Sequence, residues 1–210
     1  MDVAATDMGA EAQQLNAADG EQRAAPRFFS LIRAAKLVSA QGEFICVVRD
    51  VSSAGVRLRC FHTVPREPAM ALELQNGDLF EIERVRQDGE EASFRFASEV
   101  PVERLVQESS LYPRRPLRLN IAMPLSLRAQ GGRVAAVTQN LSQQGCRVDI
   151  ERPLAIDQKV IVETPHLPDI RARVRWRRDG ESGLVFDDTF ALRDFAILAA
   201  RLQCPQLAAA

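Results

Sequence analysis

Five residue positions recur in the same order along this chain: Arg23, Arg27, Asp50, Ser52 and Gly55, then Arg114, Arg118, Asn140, Ser142 and Gly145. The arginines of the two sets lie 91 residues apart (114 minus 23, 118 minus 27), and the clusters that follow lie 90 apart (140 minus 50, 142 minus 52, 145 minus 55). Chance rarely holds five positions in register over such a distance. The chemistry on offer is capture rather than bond making, because a guanidinium is a rigid fork of donors that fits a phosphate or the edge of a guanine. Arg115 sits beside Arg114 in the second set, more as a solvated neighbour than as a primary contact. The bland alternative stays open at this point: Asp, Asn, Ser and Gly are turn formers, and paired arginines can be solvated linker charges.

Composition narrows the chemistry further. The 210 residues carry 27 basic and 28 acidic side chains, with hydrophobic residues at 46% and charged ones at 26%, the balance of an ordinary globular protein. Of the bases only Lys36 and Lys159 are lysines, so arginine dominates, but most arginines alternate with apolar residues and form no block of positive charge. That argues against binding DNA or RNA through the phosphate backbone. No apolar run approaches the roughly 20 residues needed to cross a bilayer, so no membrane insertion is expected. Residues 1–22 hold Asp2, Asp7, Glu11, Asp19 and Glu21 without a base, lack the features of a signal peptide, and read as a disordered acidic tail. A cytoplasmic location is expected.

Cys46, Cys60, Cys146 and Cys204 form no Cys-x-x-Cys pair, and His62 and His166 stand alone, so neither a metal nor a redox site is expected. The thiols read as buried and reduced. No nucleophile elbow, phosphate-binding loop or His-centred triad is visible, so the chain is expected not to be an enzyme.

The elements that must position the arginine-to-glycine sets are strands. Segments 33–38, 43–51, 56–61, 70–75, 79–86 and 92–96 carry β-like patterns, and Val56-Arg57-Leu58-Arg59-Cys60 alternates apolar with basic residues, as a sheet with one wet face does. Asn76-Gly77 and Asp88-Gly89 read as hairpin turns. The second half repeats the plan in 121–128, 133–138, 146–150, 159–164, 170–177 and 183–186, with a turn at Gln130-Gly131-Gly132. Helix-like stretches follow at 102–108 and 190–202, the second with an apolar face of Phe190, Leu192, Phe195, Ile197, Leu198 and Leu202. Six short strands per half predict closure, which hides strand edges. The expected fold is therefore all-β with short helices: two tandem six-stranded antiparallel β-barrels, each followed by a C-terminal helix. The expected organisation is a tail at 1–22, a first domain at 23–110 and a second at 111–210. Pro113 and Pro116 bracket Arg114 and Arg115 and keep that linker extended.

In this order and spacing, Arg114-Arg115-Pro116-Leu117-Arg118 with Asn140-Leu141-Ser142-Gln143-Gln144-Gly145 resembles the PilZ family, bacterial receptor domains for cyclic di-GMP. Val174-Arg175-Trp176 and Gly183-Leu184-Val185-Phe186 are similar to the family's later strands, although Trp176 is read as a core or barrel-end residue and not as a stacking platform. Arg23-Ala24-Ala25-Pro26-Arg27 with Asp50-Val51-Ser52-Ser53-Ala54-Gly55 carries the same signature, but the first copy has no tryptophan between Leu79 and Glu90 and has Ala92 and Ser93 where Gly183 would fall. The resemblance covers about residues 23 to 203 and implies PilZ-like domains. It implies that Arg114, Arg115, Arg118, Asn140, Ser142 and Gly145 bind cyclic di-GMP in the second domain, and Arg23, Arg27, Asp50, Ser52 and Gly55 in the first. Two arginines can chelate or stack on the purines, Asp or Asn meets a guanine edge, Ser adds a hydroxyl, and Gly lets backbone approach the ligand. It further implies a receptor with no cofactor, and because Arg114 and Arg118 lie between the two halves, ligand capture is expected to change inter-domain packing or the binding of an unidentified protein partner. The alternative is a degenerate PilZ adaptor that holds a protein partner without nucleotide.

Overall fold

The computed structural model describes residues 31–106, 116–165 and 167–208. Strands β1 (Arg33–Ser39), β2 (Gly42–Val51), β3 (Gly55–Cys60), β4 (Met70–Glu73), β5 (Leu79–Asp88) and β6 (Glu91–Phe96) precede a short helix α1 (Val102–Val106). Then follow β7 (Pro124–Ala129), β8 (Gly132–Ser142), β9 (Gly145–Ile150), β10 (Lys159–Thr164), β11 (Leu167–Arg178), β12 (Glu181–Phe186) and helix α2 (Leu192–Gln203). Each set of six strands closes into an antiparallel barrel, in the order β1-β2-β3-β6-β5-β4 and, equivalently, β7-β8-β9-β12-β11-β10. The expected fold class is the observed one; the helix expected at 102–108 is described over Val102–Val106, and Gln107 and Glu108 lie outside the described residues.

The turns form where glycine permits them. Gly77, Gly89 and Gly131 have φ of +89°, +55° and +102°, left-handed backbone that side chains with a Cβ resist, and each joins two antiparallel strands. Alternation then sorts the faces: along β3, Val56, Leu58 and Cys60 are buried while Arg57 is exposed. The duplication extends to irregularities. Bulges interrupt β2 between Val48 and Asp50 and β8 between Thr138 and Asn140, and others interrupt β5 between Arg84 and Arg86 and β11 between Val174 and Trp176, each at a 90-residue interval (138 minus 48, 174 minus 84). A bulge adds one residue to one strand and re-aims the side chains after it.

The two cores interlock. Phe195, Ala196 and Ala199 of α2 complete the core of the second barrel, whereas Ala200 on the same helix belongs to the core of the first. In return Ile45 of β2 is buried among the residues of the second core. Alanines on the shared face of α2 let the helix lie close to β2. Beyond α2 the chain turns at Pro205–Ala208 and returns to the first barrel, where the Leu207 carbonyl accepts from the Thr63 N–H at 2.9 Å.

Candidate ligand site

In the second barrel the site begins with the segment that leads into β7. Leu119 is fully buried and exchanges backbone hydrogen bonds with Leu141, each 2.9 Å long, while Thr138 Oγ1 donates to the Ile121 carbonyl at 2.6 Å and accepts from Met123 N at 2.8 Å. With Leu119 plugged inward, the preceding Arg118 faces outward. Its Nη1 donates to Asn140 Oδ1 at 3.0 Å. The structure thus brings together Arg118 and Asn140, two residues from opposite ends of the motif. Arg114 and Arg115 lie outside the described residues, as do Arg23 and Arg27.

Ser142 and Gly145 occupy the hairpin that joins β8 to β9. The buried Ser142 hydroxyl donates to the Gly145 carbonyl at 2.9 Å. A methyl group on Gly145 would strike the Leu184 carbonyl of β12, so glycine here admits the backbone of the neighbouring strand. The first barrel repeats the arrangement: Ser52 Oγ accepts from Gly55 N at 3.2 Å, and a methyl on Gly55 would strike the Phe94 carbonyl of β6. The serine and glycine of both motifs shape the turn, and the turn presents the Asp or Asn.

Two further arginines belong to the constellation. Register places Arg57 opposite Asp50 and Arg147 opposite Asn140. Arg57 Nη1 lies 3.4 Å from Asp50 Oδ2, whereas Arg147 pairs with Glu181, whose carboxylate raises the guanidinium pKa further. The sequence signal was available: Gly55-Val56-Arg57 and Gly145-Cys146-Arg147 are again 90 residues apart (147 minus 57).

The copies differ in what surrounds them. In the first, Asp50, Ser52, Gly55, Arg57 and Ser93 line a surface cavity of about 180 Å³. That is below the roughly 300 to 1,000 Å³ of pockets that enclose drug-sized ligands, so a larger ligand there needs a cover. In the second, Gly183 replaces Ser93, and a methyl group on it would land on the Trp176 indole. Trp176 is 38% exposed and lies on the outside of β11, so of the two readings, core or barrel-end residue, the core one does not hold. The β11 bulge after Val174 turns it outward, and the bare backbone at Gly183 receives the ring.

Three of the four thiols, Cys46, Cys60 and Cys146, are buried. Cys46 and Cys60 are cross-strand neighbours, but both are free and buried, and burial pushes Cys60 up to about 12 and Cys46 well above its ordinary value. Burial likewise pushes Cys146 up to about 12 against the opposing charge of Arg118. Among the described residues no group of three or more His, Cys, Asp or Glu could hold a metal ion. No helix among them is long and apolar enough to cross a membrane.

Residues 112–200 match the family model of the PilZ domain. No curated protein matches the chain. Among solved structures, Borreliella burgdorferi PlzA in complex with c-di-GMP is 12% identical at a TM-score of 0.33, the likeness covering 83% of this chain and 88% of that one. Bacillus subtilis MotI (DgrA), an inhibitor of motility, is 13% identical at a TM-score of 0.34, covering 85% of this chain and 99% of that one. The K. pneumonia MrkH complex with c-di-GMP is 13% identical at 0.31, covering 84% and 86%.

Proposed function

Starting from a chain whose residues 112–200 match the PilZ-domain model, we propose that it is a non-catalytic receptor for cyclic di-GMP whose principal site is on the second barrel. The observation that carries this reading is the Arg118 to Asn140 contact at 3.0 Å, made on the barrel exterior between the two halves of one motif. Arg118, with Arg114 and Arg115 close by in sequence, supplies guanidinium groups for phosphates and for the O6 and N7 acceptors of guanine. Asn140 and Arg147, opposite each other in the β8–β9 register, supply the floor on which a base edge rests. In the first domain Arg23, Arg27 and Asp50 are the corresponding set by sequence, and Asp50 lines the cavity beside Arg57.

Capture then acts on how the barrels pack, because the segment carrying Arg118 also runs between them. Small-angle scattering with saturating ligand checks this part, an altered envelope being expected. Calorimetric titration of the full chain with cyclic di-GMP and with cyclic di-AMP checks the receptor itself. Tight binding of the guanine form alone is expected, since adenine presents a donor where guanine O6 accepts. No binding of either would leave an adaptor that holds a protein partner.

A further inference from the structure

Glu43, the second residue of β2, grips the second barrel at both of its ends. Its carboxylate accepts the Asn120 backbone N–H and the Asn120 side-chain amide, each at 2.8 Å. Its own N–H donates to Gln203 Oε1 at 2.9 Å, and its carbonyl accepts from Gln203 Nε2 at 2.6 Å. Asn120 follows Arg118 by two residues, and Gln203 is the last residue of α2. One residue of the first barrel therefore holds both the segment that leads into the second barrel and the helix that leaves it.

The surroundings are built for this grip. Lys36, on the neighbouring strand and 5% exposed, sits 3.3 Å from the Glu43 carboxylate and 2.9 Å from that of Glu73, and its Nζ also donates to the Arg118 carbonyl at 3.5 Å. The ammonium thus braces the carboxylate and touches the backbone of the residue that carries the ligand contact. Gly42, at φ +134°, leaves room for Gln203, whose side chain a Cβ there would hit. Bonds from a carboxylate to N–H donors are charge-assisted and stronger than neutral ones.

We propose that Glu43 is a positioning residue for the cyclic di-GMP site of the second barrel. By fixing Asn120 it orders the backbone that presents Arg118, so binding does not have to bear that ordering cost. This rests on the receptor reading above. It assigns to the first barrel a part in the affinity of the second, and by linkage the ligand must tighten the grip by the factor that the grip tightens the ligand.

The test measures two quantities on the full chain: amide exchange at Asn120 by NMR, and affinity for cyclic di-GMP by calorimetry. Glu43→Ala, which leaves Lys36 its Glu73 partner, is expected to speed exchange at Asn120 and to weaken binding by about tenfold. Asn120→Ala keeps the Lys36 to Glu43 pair and the backbone half of the grip. It should weaken binding by roughly threefold with an unchanged unfolding midpoint. Cyclic di-GMP added to the wild type should slow exchange at Asn120, a response that a merely structural contact would not give. Faster exchange in Glu43→Ala with wild-type affinity overturns the proposal. If that variant does not fold, wild-type affinity in Asn120→Ala overturns it alone. Should the wild type bind no cyclic di-GMP, the receptor reading falls, and the grip is judged by the Asn120 amide: protection lost in Glu43→Ala upholds it and equal exchange overturns it.

Discussion

Asn140 and Asp50 occupy equivalent places after equivalent bulges, yet they hold different arginines. Asn140 accepts from Arg118 of the lead-in segment, while Asp50 is held by Arg57 on the next strand. An amide has both donor and acceptor to offer a base edge, whereas an ionised carboxylate only accepts. A second polar residue shows how burial alone can set a pH response. His62 is 7% exposed, its Nδ1 donates to the Thr63 carbonyl at 2.8 Å, and its ring lies 4.9 Å from that of Phe44. Burial lowers its pKa below the ordinary 6.5, opposed by the Thr63 bond. Below that value the unfolded chain takes up a proton that the folded chain refuses, so stability is present above about 6.5 and declines as pH falls toward the folded value. Denaturant unfolding at a series of pH values should show a decline between neutral pH and mild acid that is smaller in His62→Leu; identical pH slopes in the two proteins would remove His62 from the account.

The hairpins that carry the motifs separate folding from binding. A methyl group at Gly145 meets the Leu184 carbonyl, and rigid backbone has little room to yield. Gly145→Ala should therefore destabilise the protein by about 1 to 3 kcal/mol, the cost of overpacking. Asn140 is half-buried on the exterior, and Asn140→Ala should change stability by no more than about 0.5 kcal/mol. The binding effects should reverse in weight, with Asn140→Ala losing affinity through Arg118. Urea titration beside ligand titration checks both, and equal destabilisation by the two variants would contradict the division of labour. Much of this was legible in the sequence, because Asn-Gly and Asp-Gly turns and the alternation along β3 report local backbone preferences that the barrel does not override. What escaped was everything set by register. Arg57 and Arg147 join the site only because strand pairing sets them opposite Asp50 and Asn140, and Trp176 faces outward because a bulge inserts one residue before it. The demand for glycine at position 145 was hidden likewise, since the contact that imposes it comes from β12, about 40 residues on.

At the scale of the molecule the two barrels share a helix, exchange a core residue in each direction, and meet in a polar cluster at Glu43. None of this follows from a count of strands, because contacts between residues 43 and 203 are set by packing and not by any local pattern. The consequence is that the lead-in to the second barrel is anchored to the first at Asn120. Asn120 is held on the first barrel while Arg118, two residues earlier, bonds Asn140 of the second. Capture of cyclic di-GMP by Arg118 is measured by calorimetric titration of the wild type, Arg27→Ala and Arg118→Ala side by side. A lost charge-assisted bond is worth about 1.5 to 3 kcal/mol, so Arg118→Ala should bind about tenfold or more weakly than the wild type. Arg27→Ala should reduce affinity or stoichiometry at a separable site. Wild-type affinity in Arg118→Ala would contradict the account.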